Sequence, residues 1–242
     1  MDRILALFQR TPEKQVPRLR KKVKEPHGEA SVRMAAAQRL VEMGTFPAIR
    51  ALLDRFLIAT SPSSEDEVEK QQVHDWLVSL GEDAVEPVLD FLRTERLLYW
   101  PIRALREILP EDEFVEKINE VLRFHWKNPP ASSDPKTEII KSIHGVHSEK
   151  LIETVKLFLD DEDDDVRLAA IGYLFELPEE SAREEILRCY AEAEDRPRIR
   201  TQILDQLVEK QWTVRGFRPI FEETLSDQYT LTRDGRVKRV GA

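Results

Sequence analysis

The sequence predicts an all-α fold: an α-solenoid, or superhelix, of about six or seven stacked helix pairs, ended by a short C-terminal β-hairpin. Three observations predict it. A pattern of apolar and basic residues recurs roughly every 30 to 37 positions along the 242 residues. Leu, Ala, Ile, Glu and Arg dominate and only 8 glycines occur, which favours helix over sheet. Charged residues reach 34% beside 41% hydrophobic. A stack with much surface per residue accommodates that balance better than a compact globule.

The clearest unit begins Asp165-Val-Arg-Leu-Ala-Ala-Ile-Gly-Tyr-Leu. Ser31-Val-Arg-Met-Ala-Ala-Ala-Gln-Arg-Leu repeats it, Arg198-Ile-Arg-Thr-Gln-Ile-Leu-Asp-Gln-Leu repeats it again, and weaker copies fall at 68–80, 97–109 and 134–146. One column is Leu or Ile in every copy: Leu40, Leu77, Leu105, Ile143, Leu174 and Leu207. Four residues earlier stand Ala36, Val73, Pro101, Ile139, Ala170 and Ile203. A spacing of four puts both columns on one helix face, whereas a strand would alternate.

A second helical pattern lies between the copies. Residues 81–92 place Val85, Val88, Leu89 and Leu92 on one face, and 44–53 do so with Ile49, Leu52 and Leu53. Gly44 and Gly81 stand where left-handed caps are expected, and Pro47 and Pro87 fall in first turns, where a missing N–H costs little. Further helices of this kind are predicted at 16–24, 113–126, 149–159, 182–193 and 217–225. Turn-rich insertions at 60–66 and 128–134 lengthen two pairs, with Ser64 and Asp134 as N-caps of the helices that follow. The tail breaks the helical pattern, and Asp234-Gly235 between β-rich flanks signals a hairpin. The chain divides at 1–227 and 228–242, the hairpin being predicted to cover Phe217, Ile220, Phe221 and Leu225 of the last helix.

These units resemble HEAT-type repeats, in the variant with Val-Arg-x-Ala-Ala-x-x-Leu in the second helix. The resemblance rests on Val32-Arg33, Val166-Arg167 and Ile199-Arg200 and covers residues 12–225. The family favours an Asp six residues before that Arg. Asp161 and Glu194 fit, whereas His27, Ser64, Leu92 and Pro130 do not. The resemblance implies a solenoid whose second helices line a concave side, and it implies no chemistry.

Charge and single residues narrow the function. The net charge of −9 divides into +6 over residues 1–50, −18 over 51–227 and +3 over 228–242. An acidic body opposes duplex binding, whose affinity comes from neutralised phosphates, so nucleic acid is not the expected partner. The lone Cys189 excludes an internal disulfide and a thiolate cluster, and its apolar stripe implies a buried, inert thiol. Residues 1–8 are too short for a signal h-region and no apolar run is long enough to span a bilayer, so a cytoplasmic chain with no membrane partner is expected.

No catalytic residue, cofactor or metal ligand set is read from the sequence. His144 and His147 lack a third convergent ligand, and no His-Glu dipeptide of the kind that holds di-iron on HEAT-like enzymes occurs. The run Asp160–Asp165 lacks the Gly and Glu of a calcium loop and reads as a helix-starting turn. No phosphate loop or nucleophile elbow is present.

Two columns attract attention instead. The position after the Val reads Arg33, Lys70, Leu98, Lys136, Arg167 and Arg200. Cations in a first turn oppose the helix dipole, so something must offset them. Either they reach carboxylates and carbonyls of the adjoining repeat, or they form a row on one lip of a groove and address an acidic partner. Arg33 and Lys70, without the turn Asp, are the ones expected to lack an internal counterion. The position before the core Leu reads Arg39, Trp76, Ala104, Ser142, Tyr173 and Gln206, where Trp76 and Tyr173 serve either as binding anchors or as packing. The expected function is a non-catalytic scaffold that takes a protein or peptide partner, acidic if the cations address it, through Arg33, Arg39, Lys70, Trp76, Lys136, Arg167, Tyr173 and Arg200. The alternatives are a lyase-type or other enzyme component, or a nucleic-acid-binding protein, on the same scaffold.

Overall fold

A computed structural model describes residues 12–193 and 195–241. They are mostly helical, with a short antiparallel hairpin, and fall into two compact units, one ending at His125 and the other starting at Trp126. Among these residues no helix is long and apolar enough to cross a membrane. The expectations for 1–8 and for Glu194 lie outside the described residues.

In the first unit the chain forms α1 (Val16–Val23), α2 (Ala30–Met43), α3 (Phe46–Leu52), α4 (Ser63–Leu80), α5 (Val85–Thr94) and α6 (Tyr99–Ile108), and then begins α7 (Glu111–Lys127). Helix α2 packs against α1, α3 and α4, while α4 packs against α6. The second unit holds α8 (Asp134–Ser142), α9 (Glu149–Lys156), α10 (Asp164–Leu174), α11 (Glu179–Glu192), α12 (Pro197–Lys210) and α13 (Arg218–Thr224). There α10 packs against α8, α9 and α12.

The two sequence columns form the core of these units. Leu40, Leu77, Leu105, Ile143, Leu174 and Leu207 all have 0% exposure, and every member of the column four residues earlier is buried. Burying a Leu fully contributes about 1.5–3 kcal/mol, so this seam is a principal source of each unit's stability. The helices that carry it, α2, α4, α6, α8, α10 and α12, are here termed column helices.

Helix ends follow the turn chemistry with three corrections, the first being that Gly81 ends α4 at φ 58° and ψ −132°, a positive φ but outside the left-handed helical region expected of it. Gly44 caps α2 in the left-handed region (φ 60°, ψ 7°), and the Asp163 carboxylate caps α10 by accepting from the N–H groups of Asp165 and Val166. Ser64 does not cap α4, because extended Pro62, two residues earlier, takes the N-cap place and Ser64 already lies inside the helix. Asp66 reaches back across that turn instead and accepts from the Thr60 N–H at 3.0 Å. Asp134 is the first residue of α8 rather than its cap, and the Ser132 hydroxyl bonds its carboxylate at 2.7 Å.

The hairpin forms as its turn predicts. Strands β1 (Tyr229–Leu231) and β2 (Val237–Arg239) pair Tyr229 with Arg239, and Gly235 takes the positive φ the turn requires (83°). Its docking differs from the expectation. The hairpin packs on α12, where Tyr229 Oη donates to Asp205 at 2.5 Å and Arg239 bonds the same carboxylate at 2.6 Å. Phe221 of the last helix stacks instead on Tyr190 of α11, with centroids 4.1 Å apart. Asp205 of α12 thus anchors the strands, while Arg218 of α13 donates to the carbonyls of Thr232 and Arg233 beside the turn, at 3.1 and 3.3 Å.

Candidate functional site: the outward face of the column helices

Helix geometry separates two faces of every column helix. Seven residues amount to about 700°, within roughly 20° of two full turns. A residue seven places before the core Leu therefore lies on the core side. Residues nine, five or two places before it lie about half a turn away. The cation column is a minus-seven column, and its members behave accordingly.

In the first unit Arg33 is buried and its Nε and Nη2 bond Glu69 at 2.7 and 2.6 Å, while Nη1 donates to the Gly28 carbonyl at 2.9 Å. Glu69 also accepts from Arg55 at 2.8 Å, and Arg55, at 0% exposure, reaches Asp66 at 2.6 Å. Lys70 closes the chain on Asp66 at 2.7 Å. The expectation that Arg33 and Lys70 lack internal counterions is thus corrected: α4 supplies the carboxylates where the turn does not. Burial works to raise the Asp66 carboxyl, but hydrogen bonds from Lys70 and Arg55 outweigh it and hold the group at about 2. Glu69 is lowered in the same way, Arg33 and Arg55 overcoming its desolvation.

The second unit satisfies its cations differently. Lys136 is buried and bonds Asp161 at 2.6 Å. Arg167 donates to the backbone carbonyl of that same Asp161. Arg200 reaches the Tyr190 carbonyl at 3.2 Å and lies over the Tyr190 ring at 5.2 Å. Of the minus-one column, Tyr173 is buried, its hydroxyl donating to the Val146 carbonyl at 2.8 Å. Burial, followed by the nearby Glu176 charge, pushes that phenol up to about 12. Trp76 is half-buried, and Arg39 is exposed and paired with Glu42 at 2.6 Å. The eight residues selected from sequence are therefore spread over both units, and most are committed to internal partners.

The face half a turn away holds what sequence reasoning missed. On α6 it carries Trp100 and Arg103, five and two places before Leu105. Trp100 lies parallel to buried Phe56 (centroids 6.2 Å, 7°), takes the edge of His74 at 5.8 Å, and has the Arg103 guanidinium over its ring at 5.3 Å. Tyr99 beside it is 64% exposed. In the second unit the corresponding face borders a cleft of about 260 Å³ lined by Lys141, His144, Asp165, Leu168, Ala169, Gly172, Arg198 and Gln202. Arg198 meets Asp165 at 2.7 Å, and His144 bonds Glu176 at 2.7 Å. Counting back from the core Leu by half-turn steps was the signal available for both.

No chemistry converges on either place. Among the described residues no group of three or more His, Cys, Asp or Glu is arranged to hold a metal ion. Cys189 is buried, and desolvation pushes its thiol up to about 11, which keeps it protonated and unreactive. No family model matches the chain, and no curated protein matches it either.

Proposed function

We propose that this protein is a HEAT-type helical-repeat interaction module that binds a polypeptide through the outward face of its column helices. The observation that carries the reading is the Tyr99–Trp100–Arg103 group. Trp, Tyr and Arg are the side chains that dominate binding hot spots, the two aromatics because they bring large area with little entropy to lose. Trp100 is braced from below by Phe56 and His74, so it presents a preorganised ring rather than a mobile one. The cleft beside Lys141 and Arg198 supports the same reading, since both cations are exposed there and suit acidic side chains of a bound segment.

The test works with the partner still unidentified. A random-peptide library is panned on the full chain, and enriched peptides are titrated against wild type and variants by fluorescence anisotropy. Trp100→Ala should weaken binding by about 2 kcal/mol, roughly thirtyfold, and Arg103→Gln by less. Lys150→Gln, an exposed change on α9, should leave affinity unchanged. Enriched peptides that bind Trp100→Ala and Arg103→Gln as tightly as wild type would remove the proposed face.

A further inference from the structure

The first helix carries a charge distribution that has no part in the Trp100 face. Between Lys14 and Lys24 stand six Lys or Arg and no acidic residue. Two of them are spent internally. Arg20 hydrogen-bonds Asp54, and Lys24 lies 3.5 Å from the same carboxylate, which is completely buried. This clamp, with buried Val16 and Val23, fixes which side of α1 faces the unit. Lys14, Arg18, Lys21 and Lys22 are left exposed, and none has a hydrogen bond or ion pair among the described residues. On the helical wheel Arg18, Lys21 and Lys22 lie within about 100° of one another. Lys14, in the preceding turn, extends the row to a length of roughly 12 Å.

Such a row is unfavourable on its own. Like charges three and four residues apart, as in Lys14/Arg18, Arg18/Lys21 and Arg18/Lys22, destabilise a helix. The dipole favours only those near the C-terminal end. An incoming anion would relieve the repulsion. The row also indicates which class of anion. Leu19 is half-buried and Val16 and Val23 are buried, so α1 exposes no large apolar side chain to enter a bilayer and no aromatic ring to stack on a base. What it offers is four flexible cations on a firmly held helix, a match for several carboxylates on a short segment.

We propose that the outward face of α1, formed by Lys14, Arg18, Lys21 and Lys22, is a second docking surface that takes an acidic polypeptide segment. It is independent of the Trp100 face, which lies on a different helix and uses different chemistry.

The probe is a fluorescein-labelled peptide of six alternating Glu and Asp residues, titrated into the full chain at about 20 mM and at about 200 mM salt. Binding should weaken steeply across that range, because exposed charges are screened within about a Debye length. The quadruple variant Lys14→Gln/Arg18→Gln/Lys21→Gln/Lys22→Gln should lose tenfold or more in affinity at low salt, roughly what four exposed pairs supply. Lys150→Gln/Arg215→Gln, which removes two exposed cations outside both proposed faces, should retain wild-type affinity for this peptide, which separates the α1 face from general attraction to exposed cations. A duplex of about 20 base pairs and phosphatidylserine vesicles are titrated alongside. Equal binding by the quadruple variant overturns the proposal, as does an equal loss in the Lys150/Arg215 variant, and duplex or vesicle binding tighter than the peptide overturns the choice of partner. Because the four substitutions are at exposed positions and spare Arg20 and Lys24, circular dichroism should show an unchanged fold.

Discussion

The two units place cations at the same helical position and neutralise them by different means. In the first, Arg33, Arg55 and Lys70 share two buried carboxylates, Glu69 and Asp66, in one connected lattice. In the second, Lys136 has one carboxylate, Arg167 a backbone carbonyl, and Arg200 a carbonyl and the Tyr190 ring. A shared carboxylate couples its cations, so removing it strands two buried charges at once. A carbonyl cannot be removed by substitution, and each cation of the second unit stands or falls alone. Identical sequence positions therefore carry different energetic weight.

Glu69→Gln should have the largest effect on the shared network of the first unit. It leaves Arg33 and Arg55 facing a neutral amide, and breaking a buried pair costs about 3–5 kcal/mol. Urea denaturation should show that loss in the transition of the first unit. Asp161→Asn is its counterpart in the second unit and should cost less, about 1–3 kcal/mol. Only Lys136 loses its counterion there, and the substitution keeps the backbone carbonyl that Arg167 uses.

Acid should expose the same asymmetry. Asp66 and Glu69 have depressed carboxyls in the folded state, Asp66 at about 2. A depressed group contributes stability that is present above its unfolded value, near 4, and lost as pH falls through its folded value. The first unit should accordingly lose stability between about pH 4 and about pH 2. Asp66→Asn should flatten that dependence, read from urea midpoints at successive pH values.

Smaller effects test single contacts of the second unit. Tyr229→Phe removes the hydroxyl that bonds Asp205 and should cost about 1 kcal/mol, the net worth of one hydrogen bond. Arg200→Lys gives up the guanidinium that lies over the Tyr190 ring, at about 0.5–1 kcal/mol. Differential scanning calorimetry of both variants would order them.

The core was legible in the sequence because one side chain decides each position. Leu40 through Leu207 recur at helical spacing, and all six are buried. The hairpin was legible for the same reason, since Asp234-Gly235 is a local signal. Its seat was not, because Asp205, 24 residues before Tyr229, looks like any exposed helix residue until α12 is placed beside the strands. By type and column alone, Arg33 reads either as a brace or as a groove residue. Its partner Glu69 lies 36 residues away, and only knowledge that α2 and α4 are neighbours makes the pairing visible. The side it faces was nonetheless computable, since seven residues return a helix to its core side. Trp100 and Arg103 were missed because neither residue type recurs at its position in the other copies, and they take their meaning from Phe56 and His74.

If the recurrent cations are internal braces, recognition is left to the opposite face. A double-mutant cycle on Arg33 and Glu69 tests this most directly. Stabilities of wild type, Arg33→Gln, Glu69→Gln and the double variant would be compared by urea denaturation of the full chain. A brace predicts large losses in both single variants and a coupling energy of about 1.5 kcal/mol or more between them. Coupling indistinguishable from zero, with Arg33→Gln within about 0.5 kcal/mol of wild type, would mean that the cation is held for a partner and contradict the account.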